Sequence, residues 1–278
     1  MTDTFQPDEK LKRLQGVELE LLDVFEGICE NHGYQRFMIG GTLLGAVRHH
    51  GFIPWDDDID MCMPRPVYME FINTVEPELP EGMYLSTIYN NPRHRGAFAR
   101  ICTKKMQVVN HATTNEHVED VWMDIFPLDG FPGPGLAQRV HKQRLFWARG
   151  MSRLAQFDDA VDVTRKREGA EALLVKLASL PVFHGVKDFN KYYRRMDELL
   201  MRYPYGQAPL IINYDGGTSF NECFPLEAYG EGRLYDYEGR RLRGPVDSDT
   251  VLTAIYGPDY MTPLPPDQRN WHNTEIVG

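Results

Sequence analysis

Four aspartates crowd into five positions, Asp56, Asp57, Asp58 and Asp60, and from Asp58 onward acid and apolar residues alternate as Asp58, Ile59, Asp60, Met61. Strand side chains alternate between faces, so Asp58 and Asp60 are expected on one side of a strand while Ile59 and Met61 enter a core. Upstream, Gly40 and Gly41 cut the apolar run Phe37 to Ile39, and Thr42 follows. Missing Cβ atoms let a ligand approach the backbone. With Thr42 as N-cap of a helix over TLLGAVRH, the turn would offer unbonded N–H groups to an anion. Two carboxylates beside such a turn suit a hard divalent cation that bridges to phosphate oxygens. Mg²⁺ is the first choice, with Mn²⁺ as a substitute, since Mg²⁺ is commonly held by one or two carboxylates plus phosphates.

A third acid stands in a second apolar stretch, Val121 to Leu128 (VWMDIFPL), where Asp124 lies between Met123 and Ile125. A buried carboxylate without a partner is costly or shifts its pKa. Asp124 is therefore expected to share a metal with Asp58 and Asp60, or else to form a salt bridge with an arginine or lysine. Asp129, beyond Pro127, reads as a turn residue. Arg48 at the end of the glycine-started helix, Arg100 alternating with Ala99 and Ile101, and Lys104 are candidates to grip phosphate; otherwise such cations snorkel over apolar neighbours. The acidic run has blander readings too. It could be a solvated loop. A calcium loop is excluded, because Met61 stands where that loop needs glycine and Val67 where it needs glutamate. A sugar-nucleotide glycosyltransferase could use the Asp-x-Asp pair, but would not require the glycine turn.

Gly40 to Arg65, GGTLLGAVRHHGFIPWDDDIDMCMPR, resembles the signature of the nucleotidyltransferase-fold superfamily and, within it, the LicD family of phosphocholine transferases. The resemblance extends to Trp122–Gly130 (WMDIFPLDG) and more loosely to Tyr256–Pro266 (YGPDYMTPLPP), and says little between about 137 and 226. It implies an α/β (α+β) fold, a nucleotidyltransferase-type mixed-sheet core with a mostly helical insertion. It also implies Mg²⁺-dependent transfer of phosphocholine from CDP-choline, or of a related group from another CDP-linked donor, to a glycan or lipid-linked glycan such as a teichoic-acid precursor, with CMP leaving. Asp58, Asp60 and Asp124 would be the catalytic and metal residues, Asp124 either as third ligand or as base. Gly40, Gly41, Thr42, Arg48, Arg100 and Lys104 would face the nucleotide and phosphates. The rivals are the glycosyltransferase and a non-catalytic nucleotide-binding module. A choline head group wants aromatic faces, and Trp55, Trp122 and Tyr214 are the candidates.

With 278 residues and 42% hydrophobic content, the chain can bury a sizeable core. A formal charge of −10 argues against a general binder of nucleic acid or anionic membrane, though local basic clusters can still hold a nucleotide. No signal-like segment opens the chain and no run approaches ~20 apolar residues. The expectation is a cytoplasmic protein without a membrane span, touching the membrane face at most peripherally. Cys29, Cys62, Cys102 and Cys223 lack Cys-x-x-Cys spacing and read as free thiols. Adjacent His49 and His50 cannot face one ligand together.

The elements that must position these residues follow from pattern. Leu11, Leu14, Leu21, Phe25 and Ile28 mark a packing helix from Pro7 to Gly33, behind the sheet. A helix near Val67 to Val75, a strand from Met83 to Ile88 and a hairpin in Ala97–His111 turning at Lys104 and Lys105 come next. Gly130 to Gly135 (GFPGPG) reads as a loop and boundary, dividing a catalytic core, 1–135, from a helical insertion and closing segment, 136–278. Beyond it, helices are expected over Leu136–Gln156, Thr164–Ser179 and Lys187–Tyr203, a strand over Leu210–Tyr214, a hairpin within Leu226–Leu242 and a helix over Asp247–Tyr256. The tail, with Trp271 and His272, is expected to fold back toward the site.

Overall fold

A computed structural model describes residues 7–110, 117–155, 169, 189–265, 269 and 274–277. Helix α1 (Glu9–His32) starts where Asp8 Oδ1 accepts the Leu11 N–H at 2.8 Å and stops at Gly33, whose φ of 67° admits the left-handed cap. The first half continues with β1 (Phe37–Met38), α2 (Gly40–His49), β2 (Asp60–Pro64), α3 (Arg65–Thr74), β3 (Met83–Ser86), β4 (Ala99–Asn110) and β5 (His117–Phe131). The second half supplies α4 (Leu136–Ala155), α5 (Phe189–Leu200), β6 (Leu210–Ile212), β7 (Cys223–Phe224), α6 (Leu226–Tyr229), the hairpin β8 (Arg233–Tyr237) and β9 (Arg240–Gly244), α7 (Ser248–Tyr256) and β10 (Thr274–Val277).

The main sheet is mixed and runs β1-β2-β5-β4-β10, with β3 also on β4 and β6 bridging β5 to β7. Among the described residues only β2 and β5 pair in parallel in it. Both halves of the chain thus share this α/β sheet. Ile59, Met61, Ile101, Met123 and Ile125 are fully buried in one apolar core with the α1 residues Leu21, Leu22 and Phe25. Their strand neighbours Asp60, Arg100, Trp122 and Asp124 are less buried and belong to the other face.

Three expectations are corrected. Lys104 and Lys105 do not turn the chain: β4 runs straight through, the Lys104 N–H bonds Gly82 O at 2.9 Å, and a register shift against β5 between Thr103 and Gln107 absorbs the irregular stretch. Residues 111–116, between β4 and β5, lie outside the described residues. Asp129 is no turn residue; β5 continues past Pro127 to Phe131, because β2 and then β6 keep pairing with it. The boundary loop therefore begins at Pro132. The helix expected over Thr164–Ser179, apart from Gly169, and Trp271 and His272 lie outside the described residues, as does part of the helix expected from Lys187. Among the described residues no helix is long and apolar enough to cross a membrane.

Candidate active site

Registers across three strands assemble the centre. In the β2–β5 pair Asp60 lies opposite Asp124, and in the β5–β4 pair Asp124 lies opposite Arg100, so three ionisable side chains form one row. Arg100 Nε donates to Asp124 Oδ1 at 2.9 Å, its Nη1 is 3.7 Å from Glu119 Oε2, and its guanidinium lies 4.2 Å from the Trp122 ring centroid. Asp124 thus has the arginine partner that was one of its two readings, and it also stands beside Asp60.

Helix α2 aims its start at this row. Gly40 has φ +53°, a conformation other residues adopt only with strain, and a Cβ there would lie 3.2 Å from Asp60 Oδ2 and 4.0 Å from the Tyr256 hydroxyl. A Cβ on Gly41 would come within 2.7 Å of Asp56 Oδ2. The glycines therefore let carboxylates approach the backbone at a helix N-terminus, where amide dipoles favour negative charge. Thr42 is not the N-cap. That position is Ile39, which offers no side-chain bond, while Thr42 Oγ1, three residues further in, accepts the Asp60 N–H at 2.8 Å and ties the acidic strand to the helix.

Burial raises the Asp60 pKa well above the ordinary carboxylate range, and Asp58, Asp124, Asp56 and Glu222 raise it further by repulsion. Burial also raises Asp124, against the opposing pull of Arg100. Two groups that sequence reasoning missed belong to the same field. Glu18 of α1 is buried, with its pKa raised by burial and then by Asp58, Asp57, Asp56 and Asp60, and its Oε2 finds no hydrogen-bond partner among the described residues. Tyr256 of α7 is raised by burial and then by Asp56, Asp60 and Asp58. From α1, Gln15 Nε2 also donates to Asp56 O at 2.9 Å. The helix expected only to pack thus supports the acidic loop. The signal was legible: Gln15 and Glu18 interrupt the apolar stripe formed by Leu11, Leu14, Leu21, Leu22 and Phe25.

Next to Arg100 a cavity of about 530 Å³ opens over the same sheet face, within the size range of small-molecule sites. Its lining includes Tyr84, Arg93, Arg95, Trp122, Glu119 and Asp120. Of the three candidate aromatics only Trp122 lines it. Trp55 and Tyr214 are buried elsewhere, under Arg269 at 3.9 Å and Arg149 at 5.3 Å. Arg48 sits in the last turn of α2, where Nη1 donates to Tyr260 O at 2.8 Å. Lys104 is exposed, four residues along β4 from Arg100, about 13 Å at strand spacing. The structure does not bring it to the carboxylates.

Among the described residues no three His, Cys, Asp or Glu side chains form a group ready to hold a metal ion. The chemistry of the donor set still fits a hard cation, since hard oxygen donors converge on Asp60 and repel one another there. Asp58 and Asp60 would supply the two carboxylates that Mg²⁺ commonly takes, with phosphate oxygens as further ligands. Asp124, whose Oδ1 accepts from Arg100, would be the third ligand or the base.

Acids gathered at a helix start beside an arginine-lined cavity suit enzymes that move phosphorus-linked groups, and likeness to a cholinephosphotransferase over nearly the whole chain makes this protein a phosphotransferase. Residues 33–130 match the family model described as LicD/FKTN/FKRP, nucleotidyltransferase domain. The chain is 30% identical over 272 residues to the lipopolysaccharide cholinephosphotransferase LicD of Haemophilus influenzae, covering 95% of this chain and 97% of that protein. It is 40% identical over 50 residues to the human ribitol 5-phosphate transferase FKRP, which is 18% of this chain and 9% of that one. The chain belongs to the LicD family.

Proposed function

We propose that this enzyme transfers phosphocholine from CDP-choline to a hydroxyl of a cell-surface glycan, lipopolysaccharide or a teichoic-acid precursor, with release of CMP. The observation that carries this reading is the row Asp60–Asp124–Arg100 at the start of α2. The acceptor oxygen attacks the phosphorus that bears choline, the bond to the CMP oxygen breaks, and CMP departs as the phosphate monoester. Asp124 would take the hydroxyl proton; burial raises its pKa against the pull of Arg100, which orients it. Arg100, Arg93 and Arg95 line the cavity in which the donor's phosphates would sit, and Trp122 offers an aromatic face there. Gly40 and Gly41 keep side chains out of the helix start, so that its amides can meet phosphate oxygens. When bound to Asp58 and Asp60, Mg²⁺ would neutralise charge on the departing phosphate. Work of this kind is mainly positioning and electrostatics.

The test is CMP release from CDP-choline in the presence of Mg²⁺ and a glycan fraction. Appearance of CMP together with phosphodiester-linked choline on the glycan supports the reading. Release of a nucleoside diphosphate from a sugar nucleotide would establish the glycosyltransferase, and tight donor binding without turnover the non-catalytic module. The local likeness to ribitol 5-phosphate transferases makes CDP-ribitol the second donor to try.

A further inference from the structure

Helix α4 is out of character with the rest of the chain. Over Leu136–Ala155 it carries Arg139, Lys142, Arg144, Arg149 and Arg153 and no Asp or Glu, in a protein of formal charge −10. Its inner face is small and polar enough to pack on the insertion, with His141, Leu145, Ala148 and Ser152 buried. Its outer face mixes apolar side chains with cations. Leu136, Val140 and Trp147, spaced at four and seven residues, form one exposed stripe to one side of the buried face, and Phe146 stands about 100° round the helix from Trp147, with Arg139 and Gln143 exposed between them. Their exposures are 77%, 41%, 58% and 72%, and Leu136 and Phe146 are the two most exposed large apolar side chains among the described residues. Arg139 and Arg144 flank the stripe. Beside Trp147 opens a cavity of about 790 Å³ whose lining adds Lys191, Arg194 and Arg195 from α5 against the single acid Glu198.

We propose that this outer face of α4, together with the α5 cations, docks the enzyme on an anionic lipid bilayer. Apolar and aromatic tips rimmed by long cationic side chains match the head-group region: Phe146, Trp147, Leu136 and Val140 enter the acyl boundary, and the arginines and lysines reach lipid phosphates. A second copy of this chain is a poor occupant, because an isologous contact would press the same cationic rim against itself. The net charge that argued against an anionic surface is an average over the chain. This face is locally cationic, and attraction to such a surface acts within a Debye length.

The full chain is sedimented with phosphatidylcholine vesicles, with and without phosphatidylglycerol. The expected result is binding only to the phosphatidylglycerol vesicles, weakened by salt, and reduced about tenfold or more by Phe146→Ser with Trp147→Ser or by Arg139→Glu with Arg144→Glu. Both variants should keep wild-type melting behaviour and wild-type release of CMP with a soluble acceptor. Failure of the wild type to bind anionic vesicles, equal binding to neutral ones, or binding indifferent to both variants would overturn the proposal. Self-association through this face in solution would overturn it too. A wild type that binds vesicles but releases no CMP from any CDP-linked donor would refute the function proposed above and leave this surface standing.

Discussion

The parallel pair β2 and β5 carries charge at both ends, and the two ends are built differently. At one end Asp60 and Asp124 meet among Asp58, Asp56 and Glu222, and Arg100 is the arginine that answers Asp124. At the other, Arg65 donates to both oxygens of Asp129 at 2.7 Å, and its Nη1 lies 2.7 Å from Asp197 Oδ1. The Tyr89 hydroxyl donates to the second oxygen of Asp197. Burial alone would make Arg65 easier to deprotonate, but Asp129 and Asp197 more than offset it, so the guanidinium stays charged. One end has its hydrogen bonds filled and serves architecture. The other stores carboxylate repulsion that an incoming cation or proton can relieve, and it serves chemistry.

That contrast can be broken by experiment. Arg65→Ala leaves two buried carboxylates unanswered and should cost about 3–5 kcal/mol of stability, read by denaturant unfolding. If it spared stability and abolished transfer, the two ends would have been assigned the wrong way round. Asp60→Asn should do the reverse, lowering CMP release by at least ~100-fold, by analogy with the loss of one pre-aimed electrostatic group. Its melting temperature should hold or rise, since the folded protein no longer contains an acid whose ionisation it disfavours. Mg²⁺ should raise the melting temperature of the wild type, by about 2.7 kcal/mol in stability at a hundredfold excess over its dissociation constant. Equal shifts in wild type and in Asp58→Asn with Asp60→Asn would mean that the cation binds elsewhere.

The gentlest slope concerns His94, on the Arg100 side of the sheet, at ~1.4 kcal/mol per pH unit or less. Phe98 O can only accept, so Nε2 carries the proton at 2.8 Å from it, and Nδ1 accepts from the Ser86 hydroxyl at 2.9 Å. Burial, then Arg100, lowers the His94 pKa to about 3. A histidine whose folded pKa lies below its unfolded value of ~6.5 leaves the unfolded chain binding more protons between those limits. Stability should therefore fall as pH drops from ~6.5 toward 3, by at most ~1.4 kcal/mol per pH unit from this group, and His94→Gln should flatten that slope. An unchanged slope would show that His94 titrates normally.

Local patterns carried much of this into view from the sequence. The alternation from Asp58 to Met61, the stripe of α1 and the paired glycines each depend on neighbours a few residues away. The alternation shows in burial, with Ile59 and Met61 buried between less buried acids, although the strand itself starts only at Asp60, so that Asp58 precedes it. What was hidden depends on register between distant segments. Nothing near Asp129 announces that Arg65 will meet it, so a proline two residues earlier made it look like a turn. Lysines at 104 and 105 looked like a hairpin tip because what keeps them inside β4, the bond from Lys104 to Gly82 and the resumed pairing with β5 at Gln107, comes from distant segments. Tyr256 could not be placed at the acidic row without α7 packing on α2.

The guanidinium at position 65 joins segments that lie far apart along the chain, one after β2, one on β5 and one on α5. It works as a rivet between the strands that bear the acids and the helical pair that bears the cationic surface. Neither can tilt without dragging the other. If that surface rests on lipid, the height of the acceptor hydroxyl above the bilayer is set by this joint, and an enzyme so mounted would modify a long glycan at a fixed reach from its anchor.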